Sequence, residues 1–258
     1  MEIIIRFTAY NAACKKHGGT TAKAIPPDIY VLGGSGDTLE YWKNGASVAL
    51  SNPAGTATYV SAMAVANNSV YVSGGGNQFN PQFFGQLWTQ VAANPMQTAQ
   101  LQDTAGNTAG ILTNAIFADG TGNVYVAGTI QYLGTTGIPY TTPTATYPIS
   151  GTVATYWENG KAVNLPGIGL LVGGGLTTAQ HGDYVSGIFV SGGDVYVSGG
   201  SHQYENDSLP TYQFAEYWKN GVSTNLTNGL IDSTTGGYAT SYPTTTGIFV
   251  SGSGLADR

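Results

Sequence analysis

Charged residues are scarce in this chain: 9% of its 258 residues are Asp, Glu, Lys or Arg, and the net charge is −6. Glu, Lys and Arg favour helices, so their scarcity argues against a helical protein. With 8 basic residues in total, the chain has no basic stripe for a phosphate backbone. Nucleic acid is therefore excluded as a partner.

Cysteine and long apolar runs are equally rare. The chain has one cysteine, Cys14, so no disulfide is expected within it. No run of 18 apolar residues occurs, and no transmembrane helix is expected. The Gly-x-Ser-x-Gly elbow and the Gly-rich phosphate loop ending in Lys-Ser or Lys-Thr are missing as well, which removes two classes of enzyme site.

Four copies of a short tyrosine strand are present instead. Each ends in a turn of small residues, and the copies span Asp28–Gly34, Ser69–Gly75, Asn123–Thr129 and Asp194–Gly200. A motif that recurs every few tens of residues is typical of a repeat architecture. Together with 38 glycines, it predicts an all-β protein of one domain.

A tryptophan hairpin follows each tyrosine strand, at Glu40–Gly45, Gln86–Gln90, Thr155–Gly160 and Glu216–Gly221. Three copies end in Asn-Gly, which predicts a type I′ turn with positive φ at both central residues. An outer strand ending in leucine comes next. A fourth strand completes each unit, at Ser61–Val65, Asn114–Ala118, Ser186–Val190 and Thr246–Val250. Four short antiparallel strands per unit predict the blade of a β-propeller.

The two ends of the repeat look like halves of one blade. The first unit begins with its tyrosine strand at Asp28, and the last ends on Thr246–Val250. We predict that these strands pair and close a small ring of four blades, because pairing removes an exposed sheet edge. Five blades are the alternative, although no strands are evident in Tyr132–Val153. The propeller domain then covers residues 28–258 and is expected to be a monomer.

Residues 1–27 lack the repeat and are expected to form a leader or tether. Asn11–Lys16 resembles the end of a bacterial lipoprotein signal, in which the cysteine becomes the lipidated first residue. This resemblance implies a lipid anchor at Cys14, and an incidental cysteine in a disordered leader is the alternative. The low charge and abundant Thr, Gly, Asn and Tyr favour an exported bacterial protein that is periplasmic, secreted or lipid-anchored.

The repeat also resembles the kelch superfamily. Kelch units place a double glycine after an apolar strand with tyrosine and then an aromatic hairpin, as in Asp28–Gly34 followed by Glu40–Trp42. The resemblance covers residues 28–252 and implies a β-propeller. Such folds host both enzymes and binding modules, so the function has to come from the site.

Long insertions fall in two of the four connections, which should place them on one face around the mouth of the central channel. Aromatic rings lie there beside planar amides, and the candidate ligand-binding residues are Phe79, Phe84, Tyr132, Tyr140, Tyr204, Tyr212 and Tyr238. Flat rings stack on sugars, and amides pair with hydroxyls. These loops therefore predict binding of a small molecule, a glycan or a protein partner. A purely structural repeat is a further alternative.

Histidines and carboxylates near the same mouth support a hydrolase as the alternative. The candidate catalytic residues are His181, Asp183, His202 and Glu205, and the candidate ligands for calcium or zinc are Asp183, His202 and Asp207. A divalent ion lowers the pKa of bound water enough to attack an ester or lactone. The chain is similar here to propeller lactonases, whose channel ligands correspond to Ser61, Asn114, Ser186 and Thr246. These four side chains are polar but uncharged, so the alternative prediction is that the channel holds a hydrated ion or a water cluster.

Overall fold

The computed structural model describes residues 27–35, 38–52, 57–76, 84–106, 110–132, 139–141, 146–165, 179–206, 209–227 and 244–251. Every regular element in these residues is a strand, and the sixteen strands confirm the all-β prediction. The leader, Phe79, Asp207 and Tyr238 lie outside the described residues.

Units 1 and 2 form separate sheets. Unit 1 is a three-stranded sheet in the order β1 (Tyr30–Ser35), β2 (Thr38–Lys43) and β3 (Ala46–Ala49). Unit 2 is a four-stranded sheet in the order β4 (Tyr59–Ala66), β5 (Ser69–Gly76), β6 (Phe84–Gln90) and β7 (Gln97–Gln100). Unit 2 thus has four antiparallel strands, as predicted for each unit, but the strand at Ser61–Val65 precedes its tyrosine strand instead of completing unit 1.

Units 3 and 4 share one nine-stranded sheet. Unit 3 contains β8 (Ile111–Ala118), β9 (Val124–Tyr132), β10 (Pro139–Thr141), β11 (Thr146–Glu158) and β12 (Lys161–Asn164). Unit 4 contains β13 (Ala179–Ser191), β14 (Asp194–Asn206), β15 (Leu209–Lys219) and β16 (Val222–Asn225). The strand order is β16-β15-β14-β13-β11-β9-β8, and β10 and β12 both pair with β11. The two units join where 149–152 of β11 runs parallel to 179–182 of β13.

The Asn-Gly turns have the predicted geometry. Asn44 and Gly45 have φ values of 51° and 83°, and the corresponding residues of units 3 and 4 also have positive φ. The Asn44 side chain then accepts a hydrogen bond from the Ile29 N–H at 2.8 Å, and Asn220 accepts one from Val195 at the same distance. Each turn therefore also fixes the start of its tyrosine strand.

A bulge in the first strand explains the glycine after each tyrosine strand. The register of β4, β8 and β13 shifts by one residue, in β13 between Val185 and Gly187. A Cβ on Gly199, the partner of Val185, would overlap the carbonyl oxygen of Tyr184. Gly74 and Gly128 face the corresponding carbonyls of β4 and β8. Only glycine permits this close approach of two backbones.

The hydrophobic core consists of three junctions between neighbouring units. At the first two, a tryptophan indole N–H donates to the carbonyl just after the outer strand of the preceding unit: Trp88 to Ser51 at 2.7 Å, and Trp157 to Gln102 at 2.6 Å. The leucine before each carbonyl is buried, as are both rings. The third junction packs Trp218 with Leu165 in the same way. Each unit is therefore stabilised by its neighbour.

The predicted closure of the ring is not confirmed. Residues 244–251 form no strand, and none of the described strand pairings joins them to β1. The sheets of three, nine and four strands remain open. A ring of four blades closed by the terminal strands stays a prediction.

One expectation about the third unit was wrong. Residues 132–153 were expected to lack strands, but β10 lies within them, and β11 begins at Thr146. The two strands pair with Tyr140 opposite Tyr147. Tyr and Thr favour the extended backbone of a strand, and here that preference outweighed the turn signals of Pro and Gly.

Candidate functional site

Five strands continue beyond the repeated part of units 3 and 4 and form one β-sheet, which we call the extension sheet. It consists of residues 130–132 of β9, 149–153 of β11, 179–184 of β13, 199–206 of β14 and 209–214 of β15. Strands β11, β13 and β14 each have 13 residues, about twice the usual length. Some segments predicted as long loops, such as 200–206 and 209–214, are thus paired strands, which hold their residues on a defined backbone.

One row of paired residues crosses the whole extension sheet. We call it the aromatic row, and its members in strand order are Tyr132, Gly151, His181, Gln203 and Tyr212. Three of the residues predicted for ligand binding or catalysis, Tyr132, His181 and Tyr212, therefore lie in one row on alternate strands, although up to 80 positions separate them in the sequence. Four strand spacings of about 4.8 Å place the two tyrosine positions roughly 19 Å apart.

The neighbouring row, one residue nearer the repeated units, contains His202 and not His181. It consists of Gln131, Thr152, Gly182, His202 and Gln213. Adjacent rows of a sheet belong to opposite faces because successive residues of a strand alternate. The register thus assigns His181 and His202 to opposite faces, and it does not bring them together as ligands of one metal ion.

Asp183 has a structural position two residues along β13 from His181. Its carboxylate is buried and accepts a hydrogen bond from the Ala154 N–H at 3.0 Å, and its carbonyl oxygen accepts one from the Thr152 hydroxyl at 2.8 Å. Both donors belong to β11, so Asp183 holds β13 against β11. Its predicted roles in catalysis and metal binding are therefore less well supported than a role in joining units 3 and 4.

A buried polar pair next to Asp183 was missed in the sequence. Ser201, which is paired with Asp183 across β13 and β14, donates its hydroxyl hydrogen to the carboxylate of Glu216, and all three residues are buried. Glu40 occupies the matching position of unit 1 and accepts a hydrogen bond from Ser47. The identical Glu-Tyr-Trp-Lys-Asn-Gly copies at 40–45 and 216–221 were the available signal.

The remaining candidates do not share one location. Tyr204 pairs with Pro210 at the far end of the β14–β15 hairpin, and Glu205 lies at a break in the register between Tyr204 and Asn206. Tyr140 lies in the β10–β11 hairpin. Phe84 begins β6 and packs against the core between units 1 and 2, so core packing accounts for it.

The predicted channel residues are divided between bonded and exposed positions. The hydroxyl of Ser61 is bonded to Ser73 at 3.0 Å, and that of Ser186 to Ser198 at 2.9 Å. Asn114 and Thr246 are exposed. Both serines also bond to a threonine of the following inner segment, Thr113 or Thr245, and these hydrogen bonds reduce their capacity to hold an ion.

The described part of the chain contains no cluster of three or more His, Cys, Asp or Glu residues that could hold a metal ion. Within the extension sheet, burial raises the pKa of the Tyr184 hydroxyl. That hydroxyl oxygen accepts a hydrogen bond from the Thr245 N–H at 3.3 Å. It therefore connects residues 244–251 to unit 4.

Comparisons with known proteins give only distant likenesses. No family model matches the chain, and no curated protein matches it. Two similar solved structures are crystal structures of the extracellular domain of BT4673 from B. thetaiotaomicron, each 15% identical with a TM-score of 0.28. Each match covers 70% of this chain and 25% of the solved chain, so this chain spans about a quarter of their length. Among the described residues, no helix has the length and apolar character needed to cross a membrane.

Proposed function

We propose that this chain is an exported, propeller-type binding module and that its extension sheet binds a neutral carbohydrate chain along the aromatic row. The observation that carries the proposal is the register, which aligns Tyr132, His181, Gln203 and Tyr212 across five strands. In this proposal the four units are blades, and the kelch-like resemblance of their repeats stays a prediction.

The residue types of the row suit a sugar. Tyrosine rings offer flat apolar faces for stacking and a hydroxyl for hydrogen bonding, whereas glutamine can donate and accept at once. Gly151 leaves the position between Tyr132 and His181 free of a side chain. A row of polar residues with a tyrosine at each end fits a ring-shaped ligand that carries many hydroxyl groups.

The length of the row favours a chain over a single sugar. The tyrosine positions are separated by four strand spacings, about 19 Å, which is longer than one sugar ring. A peptide would more readily add to a sheet edge, where main-chain hydrogen bonds are available, than lie across a sheet face. The net charge of −6 gives no reason to expect an anionic ligand.

A microarray of neutral oligosaccharides tests this function, with the protein labelled at its single cysteine, Cys14. We expect the wild-type chain to bind extended oligosaccharides. Tyr212→Ala should lose at least about tenfold in affinity. Stacking of a base on one aromatic side chain is worth about 1–3 kcal/mol in single-stranded nucleic acids, and stacking of a sugar ring should contribute a similar amount. Tyr212→Phe keeps the ring and should bind. His202→Ala, on the other face, is the matched control and should bind like the wild type.

The metal-assisted hydrolase is tested in parallel on p-nitrophenyl esters and lactones, with EDTA, calcium and zinc arms and a His181→Ala variant. Turnover that is lost with EDTA and with this substitution would replace the binding proposal with the hydrolase. No turnover, together with binding on the array, would support the binding module. A folded chain that shows neither would point to the purely structural repeat.

A further inference from the structure

The sheet of unit 1 has no inner strand paired with its tyrosine strand among the described residues. Ile29 is 58% exposed, whereas the residues at the same position of the other units, Val70, Val124 and Val195, are buried. In those units a strand of the β4 type pairs with the tyrosine strand, as β13 does with β14. Strand β1 has β2 on one side and a free edge on the other among the described residues.

The sequence of unit 1 nevertheless retains the glycine that such an inner strand requires. Gly33 corresponds to Gly74, Gly128 and Gly199, which face the carbonyl of a bulged strand. At Gly33 the nearest atom to an added Cβ is Cζ3 of the Trp42 ring, at 3.1 Å, and no carbonyl of an inner strand approaches it. Unit 1 is therefore built to receive a bulged strand.

Residues 244–251 lie against unit 4 where the inner strand of a following unit would lie, but they are not paired with any described strand. The hydroxyl of Thr245 bonds to Ser186 at 2.7 Å and donates to the carbonyl of Gly199 at 3.1 Å. In unit 3, Thr113 of β8 makes the same contacts with unit 2: it bonds to Ser61 at 2.9 Å and donates to the carbonyl of Gly74 at 3.2 Å.

The aromatic contacts agree with this placement. The rings of Phe117 and Phe189, on β8 and β13, lie 5.2 Å apart, and those of Phe189 and Phe249 are also 5.2 Å apart. Phe249 therefore continues the series of inner strands. It is 78% exposed, and no tyrosine strand among the described residues pairs with its segment.

The outer part of unit 4 is incomplete in the same way. Leu226 ends the region after β16 and is 54% exposed, although the matching leucines Leu50, Leu101 and Leu165 are buried at the interior junctions. Those junctions bury a tryptophan of the next unit, whereas Trp42 of unit 1 is only half-buried. Unit 4 thus lacks the tryptophan that unit 1 presents.

We propose that these two surfaces bind each other between two copies of this chain, arranged head to tail. Residues 246–250 of one copy would add to β1 of the second, with Phe249 opposite Tyr30, as Phe189 is opposite Tyr196. The Trp42 indole would donate to the carbonyl of Thr227 in the other copy, as Trp88 does to Ser51. The contact reproduces the interior junctions.

Two copies suit the geometry better than closure within one chain. Among the described residues of a single chain, Ile29, Leu226 and Phe249 are all exposed, and the contact between two copies would cover all three. The two contacting surfaces are different, and such contacts generate closed rings when the rotation permits. Two arrays of four units make eight, which is within the range of about four to eight blades known for propellers.

Disulfide trapping between variants that lack Cys14 tests this arrangement. Tyr30→Cys and Phe249→Cys are made in separate Cys14→Ser chains, mixed and oxidised gently. We expect a covalent dimer in the mixture and much less in either variant alone. The control replaces Phe249→Cys by Val222→Cys, and its yield of covalent dimer should be lower. Val222 and the matching residues of units 1 and 3, Ala46 and Lys161, are exposed, so this position lies outside the junctions between units. A Tyr30→Cys/Phe249→Cys chain that crosslinks only within the monomer would overturn the proposal.

Sedimentation velocity of the full chain gives a second readout without cysteines. The wild type should sediment as two copies, and Leu226→Asp should raise the concentration for half-dissociation at least about tenfold, because it places a charge in an apolar junction. Since Leu226 is exposed in the single chain, this variant should fold normally. Val222→Asp should behave like the wild type. A wild-type chain that remains a single copy at every concentration, or an unchanged Leu226→Asp, would refute the head-to-tail contact.

Discussion

At the scale of the residue, a few side chains repeat the same task in several units. Lys43 pairs with Asp28 at 2.8 Å and lies 5.3 Å from the centre of the Tyr30 ring, and Lys219 makes the same pair with Asp194 and lies 5.4 Å from the Tyr196 ring. These pairs are exposed, so each contributes little to stability. Their value is in showing that units 1 and 4 share one local structure.

Asp119 has the most clearly perturbed carboxyl group described in the protein. It accepts hydrogen bonds from the N–H groups of Thr121 and Asn123 at 2.8 and 2.9 Å. Burial raises its pKa, but hydrogen bonds from Asn123 and Thr121 outweigh that effect and hold the pKa at about 2, below the ordinary 3.8. The ionised form is therefore favoured in the folded chain.

This lowered pKa predicts a pH dependence of stability. The contribution of Asp119 is complete above pH 3.8 and is lost as the pH falls through about 2, since protonation then removes the acceptor. Relative to Asp119→Asn, the wild type should be more stable above pH 3.8, and the difference should shrink toward pH 2. Urea unfolding of both proteins across this range measures it, and a difference independent of pH would contradict the assignment.

At the scale of the element, units 2 to 4 each depend on a bulged strand facing a glycine. Gly199→Ala should lower the free energy of unfolding by about 1–3 kcal/mol, because the added methyl group overlaps the Tyr184 carbonyl and lies 3.0 Å from the Trp218 ring. Gly120→Ala is the control, since the nearest atom to its Cβ is 4.0 Å away and the effect should stay within about 0.5 kcal/mol. Equal losses for the two variants, measured by urea unfolding, would show that the close approach is unimportant.

Elements whose signals are local in the sequence were predicted, and those that depend on distant pairing were not. Tyrosine strands and Asn-Gly hairpins were predicted because their signals are local, such as the positive φ at Asn44 and Gly45. The extension sheet was not predicted, because its key pairing, between 149–152 and 179–182, is parallel and long-range. The alignment of Tyr132 with His181 depends on that pairing, whereas the separation of His181 from His202 follows from the antiparallel register of β13 and β14.

At the scale of the whole molecule, stability should differ between the units. Each junction buries one tryptophan. In unit 2 every residue of β5 is buried, whereas in unit 1 no described inner strand covers β1. Chains of this kind are stabilised mainly by contacts between neighbouring units. Unit 1, with one junction and a free strand edge, should open locally at lower cost than unit 2.

Hydrogen–deuterium exchange of dilute protein tests this difference. Amides of β1 should exchange faster than those of β5, and their protection should rise with protein concentration if a second copy covers that strand. Equal protection of β1 and β5 at all concentrations would mean that the end of the array is already covered within one chain, as in the predicted four-blade ring.

The most direct test of the central claim, that the aromatic row binds a carbohydrate chain, is isothermal titration with neutral hexasaccharides of glucose, xylose and mannose. The wild type and a Tyr132→Phe/Tyr212→Phe variant should bind one of these sugars with similar affinity, whereas Tyr132→Ala/Tyr212→Ala should show no measurable heat. Binding that survives in the alanine variant, with the fold intact, would contradict the account and place the ligand elsewhere.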